Sequence, residues 1–314
     1  MTLLVVDHVS KRFPRPGGMF AAGPEVVAVD DVSFALEAGG RLGVVGESGC
    51  GKSTLGRIIL GLYRPNTGRV LLDGADLHAA STRELRRSVQ MIWQDTAGAL
   101  DPRLRVGDSL SEPLAVQGLV GGKAERARKA VEWLDRVGLD ASLATHRPHE
   151  LSGGQRQRVG IARALAPGPA LLIADEPVAS LDVSVQTQIL RLLADLITET
   201  RVALIFISHD IRVVRALTDR VLVLYRGRAV ELGPTDAVTH RPLHPYTQAL
   251  IAAVPALHPD ERRARPAAPE RDNAVPAGCA FAPRCAQGDA SCQEEIPAWR
   301  EITPGHWVAC SRVD

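Results

Sequence analysis

No uninterrupted apolar run in the 314 residues approaches the roughly 18 needed to cross a bilayer, which excludes a membrane-spanning helix. Charge of one sign is not in excess either. Thirty-seven Lys and Arg stand against 36 Asp and Glu, a formal net charge of +1. Bulk attraction to nucleic acid or anionic lipid is therefore excluded, and no nucleic-acid partner is expected. The opening Met1–Asp7 has no basic lead and meets an acid too early for a secretory signal, so a soluble, cytoplasmic chain is expected. There is no internal repeat: one glycine-rich loop occurs, and one copy of everything after it. Cysteine is scarce, with five residues, and the four in the C-terminal tail lack the close Cys-x2-4-Cys pairs typical of structural zinc. What is present is an ordinary globular composition, 45% apolar and 23% charged, in a chain long enough for one large domain or two.

The pattern along the chain changes three times. Residues 3–9, 26–36, 69–72 and 89–93 read as strands, as does Arg41–Val45, which runs into a glycine-rich loop and then a helix to about Leu62. From about Asp101 to Leu165 the spacing is helical, with Gly138 stopping a helix over 124–137. Strand signals return at Ala170–Ala174, Ala203–Ile207 and Arg220–Leu224, with helices over 184–199 and 210–217 between them. This order predicts an α/β fold: a mostly parallel sheet covered by helices, with an inserted helical subdomain. Past Gly233, Pro255, Pro259, Pro266, Pro269 and Pro276 mark a linker before the four-cysteine tail.

Gly46-Glu47-Ser48-Gly49-Cys50-Gly51-Lys52-Ser53-Thr54 is a complete phosphate-binding loop between a strand and a helix. Its glycines let backbone N–H groups converge on phosphate oxygens, and the helix N-terminus adds its positive end. Lys52 can reach the β- and γ-phosphates, and the Ser53 hydroxyl can ligate Mg²⁺. The Cys50 side chain is given no chemistry, as a small residue between two glycines. Leu171–Glu176 is a buried strand ending in two acids, where parallel sheets bind ligands. Asp175 is placed for the Mg²⁺ shell and Glu176 to polarise an attacking water. Leu151-Ser152-Gly153-Gly154-Gln155 offers a second anion-binding helix start. One nucleotide does not need two cradles from one chain. Two copies meeting head to tail could close each cradle over the γ-phosphate held by the other.

With these motifs in this order, residues 1 to about 235 resemble the nucleotide-binding subunit of an ABC transporter, a family in which the Leu-Ser-Gly-Gly-Gln signature is diagnostic. The resemblance implies a P-loop NTPase core of RecA-like type, a helical subdomain over about 96–154, and ATP and Mg²⁺ as substrate and cofactor. It also implies that Gln94 is the Q-loop glutamine, touching Mg²⁺ or the attacking water. By the same likeness Asp182, in Ser180-Leu181-Asp182, belongs to the D-loop at the dimer seam. His209, 34 residues after Asp175, is the switch histidine on the γ-phosphate, and Phe13 stacks on adenine. The sequence departs from the family at Pro177-Val178-Ala179-Ser180-Leu181-Asp182, where two hydroxyls of the usual Pro-Thr-Ser-Ala-Leu-Asp are missing and one is moved. The structural alternative to each residue is plain: a solvated Gln at a strand end, a capping His, a core Phe.

Asp101-Pro102-Arg103, His244-Pro245-Tyr246-Thr247, the Gly17-Gly18-Met19-Phe20 insert and the tail ending Gly305–Cys310 are similar to ATP-binding subunits of dipeptide and oligopeptide importers. That branch also includes nickel and sugar-oligomer importers. The likeness implies a second, commonly different, ATP-binding subunit, two permease subunits, an extracytoplasmic substrate-binding protein, and a place on the cytoplasmic face of the membrane. A non-transport ABC ATPase is the competing class, disfavoured by the single cassette and the short helical insert. A kinase or GTPase on the same loop is disfavoured by the signature. Residues 236–314 form an extension whose Cys279, Cys285, Cys292 and Cys310 leave three readings open: a [4Fe–4S] cluster, zinc, or free thiols. Similar tails in the peptide-importer family carry the cluster.

Overall fold

A computed structural model describes residues 1–14, 25–253 and 277–313. The Gly17–Phe20 insert and the five linker prolines lie outside the described residues. Strands β1 (Thr2–Phe13), β2 (Val26–Glu37), β4 (Thr67–Leu72) and β5 (Ala75–Asp76) form an antiparallel sheet in the order β2-β1-β4-β5. The second, larger sheet begins with β3 (Arg41–Val45), β6 (Val89–Ile92), β7 (Leu171–Asp175), β8 (Ala203–Ser208) and β9 (Arg220–Tyr225). It is completed by β10 (Arg228–Pro234), β11 (Arg300–Thr303) and β12 (His306–Val308), in the order β11-β12-β10-β9-β3-β8-β7-β6.

The expected α/β core is present, and its larger sheet is mixed. The segment β9-β3-β8-β7-β6 is parallel, while β10, β12 and β11 add antiparallel strands, and the N-terminal strands make a sheet of their own. The reason is visible in the residues. Every residue of β7 and β8 is buried, as a strand covered on both faces requires, whereas β1 and β2 alternate buried and open positions and need cover on one face only.

Alternate residues of the central strands face two cores. Val45, Leu172, Ala174, Leu204 and Phe206 point to one side, Val44, Leu171, Ile173, Ile205 and Ile207 to the other. Helix α1 (Lys52–Ile59) packs Leu55, Ile58 and Ile59 into the second core, between the two sheets. It ends earlier than expected, with Leu60 as its C-cap and Gly61 at φ 79°. After α2 (Thr82–Ser88), the helical segment comprises α3 (Thr96–Ala99), α4 (Val106–Val116) and α5 (Lys123–Arg136). In α5 only Ala130, Trp133 and Leu134, on one stripe, are buried, and Gly138 at φ 66° follows the helix end. Helices α6 (Gly153–Leu165), α7 (Val183–Thr200) and α8 (Ile211–Leu217) cover the face opposite α1. No helix among the described residues is long and apolar enough to cross a membrane.

The extension is fastened to this frame. Helices α9 (Thr235–His240) and α10 (Pro245–Ala252) follow β10, and α11 (Ala290–Glu294) precedes the β11–β12 hairpin. Glu231 of β10 is fully buried and accepts hydrogen bonds from the Leu243 and His244 backbone N–H groups at 2.9 Å each. Its Oε1 also lies 2.8 Å from His306 Nε2 on β12. A carboxylate without exposure needs these partners, so the junction depends on them jointly.

Candidate nucleotide site

The glycine-rich loop turns directly out of β3 into α1. Gly46 has φ 153°, and a Cβ there would lie 2.2 Å from the Leu224 carbonyl oxygen; Gly51, at φ 106°, would meet the Ala28 carbonyl oxygen at 2.1 Å. Both positions demand glycine on backbone conformation and on space. Gly51 is also the N-cap of α1 and supplies no side-chain cap. The first N–H groups of this helix are thereby left to an outside acceptor, the arrangement that suits a phosphate. Lys52 is buried, and its Nζ donates to the Gly46 and Glu47 carbonyl oxygens at 2.8 and 2.9 Å. The loop's own oxygens hold the ammonium across its mouth.

Ser53 Oγ donates to Asp175 Oδ1 at 3.0 Å. Burial raises the Asp175 carboxyl above its ordinary pKa; the Ser53 hydrogen bond opposes the shift, and the neighbouring Glu176 charge adds to it. A hydroxyl and a carboxylate oxygen side by side are the hard-donor pair that Mg²⁺ selects, and such sites take their remaining ligands from water and substrate phosphate. The residues present fit the cation.

Glu176 leaves β7 with φ 45°, and its N–H donates to the Ile207 carbonyl oxygen at 2.9 Å, which aims the side chain at the strand ends. Gln94 Nε2 donates to Glu176 Oε2 at 3.4 Å, and His209 Nδ1 lies 3.3 Å from the same oxygen. The ends of β6, β7 and β8 therefore deliver three residues, read separately from the sequence, to one carboxylate oxygen. Such a group can hold and polarise a water.

The second helix start is built differently. Ser152 caps α6: its Oγ accepts from the Gln155 N–H at 3.2 Å, and its own N–H donates to Gln155 Oε1 at 2.9 Å. A Cβ on Gly153 would lie 3.3 Å from Leu181 and one on Gly154 2.8 Å from Val185, so Ser180–Asp182 and the start of α7 lie against the pentapeptide. Asp182 is exposed at the N-cap of α7. α1 and α6 lie on opposite faces of the sheet, so the structure does not bring Ser152, Gly153, Gly154 and Gln155 to the loop of their own chain. Phe13, at the end of β1, is half-buried, edge-on to Tyr63 at 5.3 Å, with Lys11 Nζ 5.3 Å from its ring.

The four tail cysteines form no disulfide, and all four border one pocket. Burial raises the Cys279 and Cys310 thiols above their ordinary pKa. Among the described residues no group of three or more His, Cys, Asp or Glu side chains is placed to hold a metal ion. The iron–sulfur and zinc expectations thus find four sulfurs around one space, but no formed metal site.

Three residues touching the loop escaped the sequence reading. Glu47 lies inside the motif, at a position it leaves open; Tyr246 and Arg284 lie about 200 or more residues away. The Glu47 N–H donates to the Tyr246 hydroxyl oxygen at 2.8 Å, and the Glu47 carboxylate pairs with Arg284. No local pattern announces such a contact.

Residues 29–179 match the family model described as ABC transporter, and residues 230–292 match the model described as oligopeptide/dipeptide transporter, C-terminal region. The chain is 49% identical to the probable peptide ABC transporter ATP-binding protein y4tS of Sinorhizobium fredii, over 98% of its own length and 89% of that protein's. It is 44% identical to the oligopeptide transport ATP-binding protein AppF of Bacillus subtilis, over 98% and 97%. It is 42% identical to the di/tripeptide transport ATP-binding protein DppF of Pseudomonas aeruginosa, over 100% and 98%. Among solved structures, the ATP-binding cassette MJ0796 in a dimeric post-hydrolysis state bound to ADP and Pi aligns with a TM-score of 0.66 at 30% identity, over 74% of this chain and 99% of that one. A loop shaped for phosphate, a carboxylate with two polar attendants and a detached signature helix thus coincide with likeness along nearly the whole chain, and the chain belongs to the ATP-hydrolysing, ATP-binding subunits of ABC transporters.

Proposed function

We propose that this subunit powers an importer of di- or oligopeptides, working from the cytoplasmic face of the membrane with a second, different ATP-binding subunit, two permease subunits and an extracytoplasmic binding protein. The observation that carries the catalytic part is the meeting of Gln94, Glu176 and His209 at one oxygen beside the Ser53–Asp175 pair. Backbone N–H groups from Gly46 through Thr54 cradle the phosphates, with Ser48, Gly49, Cys50 and Gly51 contributing main chain only. Lys52 swings from its carbonyl partners to the β- and γ-phosphates. Phe13 takes the adenine. Mg²⁺, held by Ser53 and Asp175 with Gln94 near its water shell, would neutralise developing phosphate charge. Glu176 accepts the proton of the attacking water, Gln94 orients that water, and His209 donates to the γ-phosphate.

The other half of the chamber is supplied by the partner's signature helix. That α6 lies across the sheet from α1 supports this reading, since one nucleotide cannot reach both within one chain. Asp182 then lies at the seam. A groove of about 520 Å³ between α2, β6, α4 and α6 runs beside Trp93, next to Gln94, and contains the buried His78 Nε2 and Gln117 Oε1 without hydrogen-bond partners. It suits a helix end from a permease subunit. Peptide as cargo is supported by the match of residues 230–292 and by the names of the relatives. By likeness to the family, residues 1–235 are the motor and 236–314 the extension.

The likeness of the tail to those of peptide importers and the lack of close Cys pairs favour a [4Fe–4S] cluster ahead of zinc, with the four cysteines around one pocket as its ligands. Anaerobic purification yielding a colourless protein without absorbance near 400 nm would remove that assignment. The transport reading is tested by co-purification. The chain should be retained with hydrophobic permease subunits encoded beside it, and a Glu176→Gln variant should accumulate as an ATP-bound dimer. Parental hydrolysis by that variant contradicts the role given to Glu176.

A further inference from the structure

The second residue of the phosphate loop is held from outside the loop. Arg284 Nη2 donates to Glu47 Oε1 at 2.9 Å and Nη1 to Oε2 at 3.1 Å, a two-pronged pairing across 237 residues of sequence. The Glu47 N–H is taken by the Tyr246 hydroxyl, and its carbonyl oxygen accepts from Lys52 Nζ. Every hydrogen-bonding group of Glu47 is thus engaged, two of them by the C-terminal extension. Behind these contacts Tyr225, Tyr246 and Phe281 pack ring against ring, with centroids 4.5 to 5.5 Å apart. The Arg284 guanidinium carbon lies 5.8 Å from the Tyr225 ring and 5.7 Å from the Phe281 ring. Arg284 ends the short 3-10 turn Ala282–Arg284, directly before Cys285.

We propose that Arg284 and Tyr246 are positioning residues for nucleotide binding: they hold Glu47 and with it the shape of the loop backbone, so that the extension sets the affinity of the phosphate loop. The inference rests on the loop being the ATP site. Exposed ion pairs contribute little as a rule, but this one is two-pronged, three-quarters shielded on the Arg side, and backed by buried rings. Glu47 is half-open to solvent, so its carboxylate tolerates loss of the guanidinium, and what is lost is the shape of the loop. Gln94, Glu176 and His209 stand at the ends of β6, β7 and β8 and do not touch this brace. Affinity and turnover should therefore separate.

The test is calorimetric binding of MgADP to the full-length chain, paired with ATPase assays of the assembled transporter. Arg284→Ala and Glu47→Gln should each raise the MgADP Kd about three- to tenfold, the size of one such coupling. The double variant should be no worse than either single one. Arg284→Lys should recover part of the loss, and Tyr246→Phe should reproduce a smaller share of it. In the Arg284 variants KM for ATP should rise in parallel while kcat at saturation stays within about twofold. Melting temperatures within about 3 °C of the parent would show that the fold is kept. An unchanged MgADP Kd in Arg284→Ala, multiplying effects in the double variant, or a fall in kcat without a change in KM overturns the proposal. If instead Lys52→Ala binds MgADP as tightly as the parent, the reading of the loop itself fails.

Discussion

Two helix starts in this chain carry the same kind of glycine-rich lead, and they are finished in opposite ways. At α1 the cap position is Gly51, which has no side chain to offer, and the nearest charge is the Lys52 ammonium resting on loop carbonyls. At α6 the cap is Ser152, which closes a reciprocal hydrogen-bonded box with Gln155. The first is a cradle awaiting a ligand; the second is satisfied until one arrives. A phosphate at α6 must therefore displace or share the Ser152–Gln155 bonds, which costs on the order of 1 kcal/mol. On the proposed head-to-tail pairing, that asymmetry would make the loop the tight site and the signature a weaker closing surface, engaged when a partner chain presents its γ-phosphate.

Substitutions can break the comparison, and the largest effect belongs to the open cradle's chemistry. Glu176→Gln should lower kcat about 10²- to 10⁴-fold while ATP stays bound, measured as single-turnover hydrolysis beside nucleotide retention. Lys52→Ala should weaken MgATP binding about a hundredfold in equilibrium titration, because a buried cation aimed at phosphate is removed. Next comes the junction at the extension. Burial holds His244 neutral down to about pH 4 although Glu231 pulls the other way, and its Nδ1 accepts the Tyr246 N–H at 3.0 Å. The unfolded chain protonates this residue near 6.5. Between those values the unfolded state binds more protons, so stability is full above about pH 6.5 and falls as pH drops toward 4, by about 3 kcal/mol in all. Thermal melts across that range should show the decline, and His244→Asn should flatten it. The smallest effect sharpens the contrast between the cradles. Ser152→Ala should cost about 1 kcal/mol of stability through the lost cap. It should leave MgADP binding to the isolated chain within about twofold, while reducing steady-state turnover of the dimer.

The two cradles and the paired acids were legible in the sequence because their chemistry is local: three glycines, one lysine and a hydroxyl within nine residues need no tertiary information. Gln94 and His209 became meaningful only through family resemblance, and their meeting at Glu176 required the parallel order of β6, β7 and β8. The strands of the antiparallel sheet were legible over 3–9, 26–36 and 69–72, but their full extent and their pairing into a separate sheet were not. The β1–β2 ladder has register shifts around Val6–Val9 and residues at positive φ (His8 at 49° and Asp31 at 55°), which interrupt the two-residue period that marks a strand. β11 and β12 are four and three residues long and pair with each other, and β12 pairs with β10 about 75 residues upstream, a contact with no local signature. The Glu47–Arg284 brace belongs to the same class. It is made by residues individually ordinary, brought together by a sheet that runs from the motor into the extension.

Complementation between chains is the claim on which the rest stands, and it is tested most directly by ATP turnover per chain over a hundredfold dilution series, with the companion subunit held at equal concentration. A chamber assembled from two chains requires that specific activity fall steadily on dilution and recover when a lipid-embedded permease pair holds the subunits together. Specific activity that stays constant down to the most dilute sample, with the chain running as a monomer, contradicts it.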